Sequence, residues 1–460
     1  MDESIKVQGK NPLGYEPLGK LLMKFAIPSV IAMIVNSIYN IADQIFLQRG
    51  VGSLGNAATT VAFPMVMFTL AMSLLIGNGG IALASIKLGE KNKDGAERIM
   101  GNVFILLIII SIVICVLGLI FLDPLLRLLG ASDNVFPYAE SYLRIILLGT
   151  PFMAIGTGMS GFIRADGSPL YSMMCLVSGC VINIILAPIF ISVLGWGAAG
   201  AALATIFSQF ITAAVNVWYL LFLGKIKLVF SNFKLSWRLV RTFCALGLSS
   251  FITQFANSIV LIVTNNSLNH YGSLSSVGGD TALTAMGIVL KTNGLLISIC
   301  IGIAVGAQPI LGYNTGAGNI KRVRKAFLMA LVASSSVSFL GWILIMFFPK
   351  AILSIYGSND PAMFEFASRI MKIFLGLVFA AGLLVVSSQY FQAVGRAREA
   401  FVISMTRQVF ALLPLLIILP LFLGLEGILW AGFFADFLSF VVVGSIVFRE
   451  IRRLNRNIKN

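Results

Sequence analysis

The stretch FAIPSVIAMIVNSIYNIADQIFL (25–47) carries a single charged residue, Asp43. A helix that crosses a bilayer needs about 20 predominantly apolar residues, and this run supplies them. Its polar members are not scattered. Asn36, Tyr39, Asn40 and Asp43 recur at i, i+3, i+4 and i+7, which places all four on one helix face. A polar stripe on an apolar helix has to face protein or water rather than lipid. An ionised aspartate at the centre of a span costs roughly 2.5–3.5 kcal/mol on insertion scales, so it persists when protonated, paired or coordinating a cation. The plainer alternative is that Asp43, near the outer end of the run, has reached the headgroups.

The rest of the chain agrees with a membrane reading. Of 460 residues, 58% are hydrophobic and 11% charged, and the mean hydropathy is +0.95. Soluble domains carry roughly 25% charged residues. A lone soluble enzyme, a disordered chain and a secreted disulfide scaffold are therefore excluded. The net charge of +15 does not point to nucleic acid, because the 33 Lys and Arg sit in short tufts between apolar runs. That distribution is the positive-inside pattern of a polytopic protein. Cys115, Cys175, Cys180, Cys244 and Cys300 all lie in apolar runs, no Cys-x-x-Cys occurs, and His270 is the only histidine. This inventory supports neither a disulfide framework nor a cysteine/histidine metal site. The N-terminus lacks the apolar core and cleavage site of a signal peptide, so the first span is expected to serve as the insertion signal.

Twelve apolar runs are long enough to cross: 22–48, 57–87, 98–122, 137–164, 169–193, 196–223, 240–268, 282–313, 325–348, 362–393, 399–424 and 427–449. They are too long and uniform for barrel strands. With a cytoplasmic N-terminus, 25 Lys and Arg fall on the inner side, against only Arg49, Arg127 and Lys350 outside. Both termini are thus predicted inside. The chain also repeats. LGEKNKDGAERI (88–99) follows the second span and TGAGNIKRVRKA (315–326) the eighth, with Gly89 over Gly316 and Asn92 over Asn319 at an offset of 227. PSVIAMIVNSI (28–38) resembles SSFITQFANSI (249–259), and RADGSP (164–169) lines up with QAVGRA (392–397). The predicted fold is an all-α integral membrane protein of twelve transmembrane helices, in two parallel six-helix lobes with pseudo-twofold symmetry along the membrane normal. The expected segments are a cytoplasmic N-terminus 1–21, an N-lobe 22–223, an inner linker 224–239, a C-lobe 240–449 and a basic tail 450–460. Transporters built this way bind substrate between lobes and alternate access by rocking.

Depth arithmetic gathers partners for Asp43. At 1.5 Å per residue it lies about 32 Å above the inner end of its span, Asn183 about 21 Å up the fifth, Thr205 about 13 Å below the outer end of the sixth, and Tyr142 about 8 Å below that of the fourth. A carboxylate among amide, hydroxyl and carbonyl oxygens suits a hard cation, and the same carboxylate can carry a proton. Pro28, Pro151 and Pro188 free carbonyls nearby. The competing reading of Asn183 and Thr205 is ordinary interhelical hydrogen bonding. The second half differs: Asn36 corresponds to Asn257, but Tyr39 to Val260 and Asp43 to Thr264. Asn36, Asn40, Asn257 and Lys291 are candidate cavity residues. Lys291 and Asp436 both fall about 13 Å below the outer surface, where they either pair or line the cavity. Arg407 falls nearer the inner end, and His270 in an outer loop. IGNGGIA (76–82) and GWGAAGAALA (195–204) read as close helix packing, without the context of a phosphate loop. ATP-driven transport, and an intramembrane enzyme with clustered His, Asp or Glu, are both disfavoured.

Taken together, FAIPSVIAMIVNSIYNIADQIFL, LGEKNKDGAERI, RADGSP, GAAGAALATIFSQ, GAQPILGYNTGAGN and TRQVFALLPLLIILP resemble the multidrug and toxic compound extrusion (MATE) family, in its bacterial MepA/DinF-like branch, over roughly residues 20–445. The resemblance implies a secondary active antiporter that exports amphipathic, often cationic compounds in exchange for H⁺ or Na⁺, without cofactor, in a bacterial cytoplasmic membrane. It implies coupling roles for Asp43, Tyr39, Tyr142, Asn183 and Thr205, with Na⁺, if used, at Asp43, Asn183 and Thr205. Many relatives carry a second carboxylate in the fifth span, where this chain reads NIILAPIF with Ala187. Either Asp43 couples alone, or the position has been disabled. A dedicated metabolite exporter or a lipid-linked precursor flippase of the same fold is the alternative. The expected partners are a small amphipathic molecule and the bilayer, with no nucleic acid and the chain as a monomer.

Overall fold

In lipid every backbone N–H and C=O has to be satisfied within its own segment, which drives apolar runs of this length into helices. The computed structural model describes residues 11–275, 277–354 and 361–459, and among them there is no strand. Ten helices are long and apolar enough to cross a membrane: α1 (Leu18–Val51), α2 (Leu54–Gly89), α3 (Lys93–Ile120), α5 (Pro169–Val193), α6 (Gly197–Leu223), α7 (Trp237–Ser273), α8 (Thr281–Gly316), α9 (Ile320–Phe347), α11 (Ala397–Leu423) and α12 (Leu425–Ile458). Two bent pairs complete the twelve. They are α4 (Phe136–Leu148 + Thr150–Ala165, 51°) and α10 (Met363–Phe374 + Val378–Ala393, 48°).

The bends have local causes. In α4, Gly149 ends the first piece and Pro151 sits at the start of the second, where its missing N–H does no harm. In α10 a turn over residues 375–377 separates the pieces, and the second opens with a 3₁₀ turn over Val378–Ala380. Pro28 behaves differently, standing inside the unbroken α1. Pro188 closes the α-helical part of α5, and a π turn follows over Ile189–Val193. His270 is not in a loop: it lies exposed in the last turn of α7, its ring edge-on to Tyr271. The helix continues past the predicted span through the polar NHYGS (269–273).

The internal repeat is visible in the backbone. Asn92 caps α3 by accepting from Gly95 N–H, and Asn319 caps α9 by accepting from Arg322 N–H. The residues just before them, Lys91 (φ 61°) and Gly318 (φ 69°), share the left-handed region, which a lysine enters only at a cost. Packing follows the halves only in part. One cluster of buried residues stays within the first half, Leu47 to Ala204, and one within the second, Leu268 to Ala435, while a third joins residues from Ile76 to Leu228 with Val240 and Phe243 of α7. The fourth joins Leu13 to Ala26 with second-half residues.

The halves meet closely at the end where the chain termini lie. A Cβ on Gly79 of α2 would fall 1.8 Å from the Phe243 carbonyl oxygen of α7, and one on Gly247 would fall 1.7 Å from that of Leu75. A Cβ on Gly306 of α8 would sit 2.7 Å from Ala26 Cα of α1. Gly89 and Gly316 press reciprocally on the Tyr313 and Ile86 carbonyls, at 2.0 and 1.9 Å. Small residues let helix backbones approach in this way. The opposite ends of the same helices diverge around a cavity.

The linker between the sixth and seventh helices is clamped to the first half. Asp166 accepts from the Tyr219 hydroxyl (2.8 Å), Lys225 N–H (3.0 Å) and Ile226 N–H (2.9 Å). Glu97 accepts from Lys227 N–H, and Asn102 accepts from Ser236 N–H. Buried carboxylates thus satisfy backbone donors that no regular element would pair.

Candidate functional site

A cavity of about 900 Å³ opens between the halves at the end away from the termini. Its walls come from α1, α2, α4, α5 and α6 on one side and α7 and α8 on the other. Asn36, Tyr39, Asn40 and Asp43 of α1 all line it, as the spacing predicts. Tyr142 and Thr205 line it too. Behind this wall Asn183 donates to Thr205 Oγ1 (3.4 Å), and Thr205 in turn donates to the Ala201 carbonyl (3.0 Å). Tyr39 is in contact with Thr205, and both Tyr39 and Tyr142 lie within the field of Asp43.

Two oxygens in this cluster stand out. Asp43 Oδ1 and Asn183 Oδ1 are both buried and have no hydrogen-bond partner. A buried acceptor without a donor costs about 1–3 kcal/mol. A hard cation, or a proton on the carboxylate, would relieve it. The oxygen-only donor set fits such a cation. Ala187 does not line the cavity; it is fully buried just behind its wall, four residues beyond Asn183, in an apolar cluster with Leu47, Tyr142 and Ala201.

Of the two readings left open for Lys291 and Asp436, the pair does not form, because Arg407 has taken that carboxylate: its Nε donates to Asp436 Oδ1 at 2.6 Å. The long arginine side chain reaches across from the π segment Thr406–Leu412 of α11, bridging a depth difference that the sequence arithmetic treated as separation. Lys291 is left lining the cavity, and it and Asp43 are the only charged residues in its wall among the described residues. One expectation changes: Asn257 is not in that wall, and its Oδ1 accepts from Gln408 of α11.

Several lining residues escaped the sequence reading. Ser208, Gln209 and Thr212 of α6 face the cavity and, with Thr205, repeat the i, i+3, i+4, i+7 spacing that singled out α1. The same test applied to α6 would have found them. Thr59, Thr60 and Asn265 also line it, but no stripe announces them.

A helical bundle split into two similar halves, with a largely apolar cavity bearing a polar patch between them, open at one end and closed by glycine contacts at the other, has the architecture of a transporter rather than an enzyme. The MatE family model matches residues 28–189 and 250–417, one segment in each half. The chain belongs to the MatE family. It is similar to the multidrug export protein MepA of Staphylococcus aureus (strain MRSA252), 25% identical over 437 residues and covering 94% of each chain. It is also similar to the FAD transporter of Shewanella oneidensis, 23% identical over 424 residues, covering 90% of this chain and 91% of that one. Among solved structures it resembles the MATE multidrug transporter DinF-BH: TM-score 0.86, 29% identity, 96% of this chain and 98% of that one.

Proposed function

We propose that this chain is a secondary active antiporter that exports amphipathic organic compounds in exchange for H⁺ or Na⁺. The observation that carries the reading is the unpartnered Asp43 carboxylate oxygen in the wall of a cavity large enough for a drug-sized ligand. An ion arriving from the open side binds Asp43 with Asn183 and Thr205 behind it. Its charge replaces the charge that a cationic substrate placed there, so ion and substrate exclude each other. The two lobes, 22–223 and 240–449, then rock about the glycine contacts, with the linker 224–239 travelling with the first. The basic loops put both termini in the cytoplasm, so the open end faces outward in a bacterial cytoplasmic membrane.

The test is efflux of a cationic dye from cells expressing the chain, under an imposed Na⁺ or H⁺ gradient, beside Asp43→Asn and Ala187→Asp. Loss of efflux in Asp43→Asn with normal membrane insertion is expected. Unimpaired, gradient-dependent efflux in that variant overturns the reading. Ala187→Asp adds a carboxylate beside the cluster and is expected to increase ion dependence; unchanged coupling removes position 187 from the mechanism.

Lys291 favours a second reading, a metabolite exporter for compounds with an anionic group, such as the dinucleotide named for the Shewanella relative. A dye that no form exports, together with export of an anionic compound that Lys291→Gln abolishes, would select it.

A further inference from the structure

A second cavity, about 790 Å³, lies on the outside of the bundle at the end that carries the termini. It is a groove between α9 and the start of α1, closed at one corner by Ile458 of α12. Its composition is graded. Lys321, Arg324 and Lys325 stand at its rim, on the first turns of α9. Below them Leu328, Met329 and Val332 continue the same helix face with the same i, i+3, i+4 spacing. The opposite wall is Gly19, Leu22 and Met23 of α1. Met23 and Val332 are 58% and 64% exposed, so the floor is open to lipid rather than sealed by protein.

The rim is electrostatically unfinished. None of the three cations has an ion-pair partner among the described residues. The nearest acid at this end of α1, Glu16, is paired with Lys24 at 3.4 Å and does not line the groove. Arg324 Nε is buried and has no acceptor. A buried guanidinium donor needs an acceptor, and an anionic oxygen makes the stronger bond. The dimensions select the kind of anion. From Lys321 to Val332 the helix rises about 16 Å, which is half of a hydrocarbon core about 30 Å thick. A ligand with an acidic head at the rim and a chain reaching the bilayer midplane fills it.

We propose that this groove is a binding site for one anionic phospholipid, its phosphate on Lys321, Arg324 and Lys325 and an acyl chain along Met329 and Val332. Because α1 supplies one wall and α9 the other, the lipid holds the inner end of the Asp43 helix against the second half. The groove exists only while those two helices adjoin, so an acidic lipid favours the conformation described here.

The experiment is native mass spectrometry of the delipidated, full-length protein titrated with phosphatidylglycerol, phosphatidylcholine or glycerol 3-phosphate. One tightly held phosphatidylglycerol is expected, with no equivalent phosphatidylcholine and no displacement by glycerol 3-phosphate. The triple variant Lys321→Gln, Arg324→Gln, Lys325→Gln should weaken that binding about fivefold per cation, on the order of 100-fold in all. Lys225→Gln, Lys227→Gln, Arg238→Gln removes as much charge elsewhere on the same side and should leave it within about twofold. Gly19→Leu keeps every charge and fills the groove, where a Cβ meets Met329 Cε at an ordinary 3.5 Å. It should weaken binding on the order of tenfold, the worth of about two methylene contacts. The proposal is overturned if both triple variants lose lipid equally, if Gly19→Leu binds normally, if phosphatidylcholine binds as well, or if glycerol 3-phosphate competes. Each variant's monodisperse elution separates these outcomes from misfolding.

Discussion

The close crossing of α2 and α7 makes Gly247 a position where one methyl group reports on the transport cycle. A Cβ there would stand 1.7 Å from the Leu75 carbonyl oxygen, with Leu75 C and Cα at 2.6 and 3.0 Å. The obstacle is backbone, so no side chain can swing aside. To reach ordinary contact at 3.4 Å the two helices have to separate by about 1.7 Å. Overpacking of this sort costs about 1–3 kcal/mol. That cost applies only while the inner ends of the halves are together, and it vanishes once they part. Gly247→Ala is therefore expected to move the equilibrium roughly 5- to 150-fold away from the conformation described here. Spin labels at Leu128 and Leu274, both strongly exposed (83% and 74%) and at the end away from the termini, would measure it by pulsed electron resonance, with the five native cysteines replaced. The distance distribution should shift to shorter values as the outer cavity closes. Gly444→Ala is the control, because nothing lies within 4 Å of a Cβ there. Identical distributions for wild type and Gly247→Ala, in folded protein, would show that the crossing is not a gate.

Two further outcomes follow from the buried charges. Asp166→Ala strips the acceptor from three donors, two of them linker N–H groups. It should lower unfolding stability by about 2–5 kcal/mol, read as a fall in Tm in detergent, and an unchanged Tm would mean that the linker is not anchored there. Asp436→Leu leaves Arg407 unpaired and should cost about 3–5 kcal/mol, while adding Arg407→Met should recover most of it. Additive losses in the double variant would contradict a mutually dependent pair.

Much of this architecture could be read from residue order alone, since span length, loop charge and the 227-residue offset are one-dimensional signals. The α1 stripe was legible because helical spacing fixes which side chains share a face. Partner choice was not. Depth arithmetic placed Arg407 and Asp436 apart, yet a long arginine side chain on a π segment reaches the carboxylate. It put Lys291 at the depth of Asp436 and left open whether the two pair, and the structure sets Lys291 in the cavity wall. Asn257 kept the repeat's register but met Gln408 from α11, a neighbour that no internal alignment reveals. The α4 bend follows Pro151, whereas α10 bends over a 3₁₀ turn that has no proline to announce it.

The reciprocal contact of Gly89 and Gly316 lies where the two halves are related to each other, each glycine resting on the other helix's carbonyl. It is the isologous interface that two copies of a six-helix unit would form about a twofold axis, carried within one polypeptide. In a true homodimer a change at one position appears on both faces at once. Here each face has its own codon. One half can hold Asp43 while Thr264 occupies the matching place, so a symmetric contact joins two chemically unlike halves.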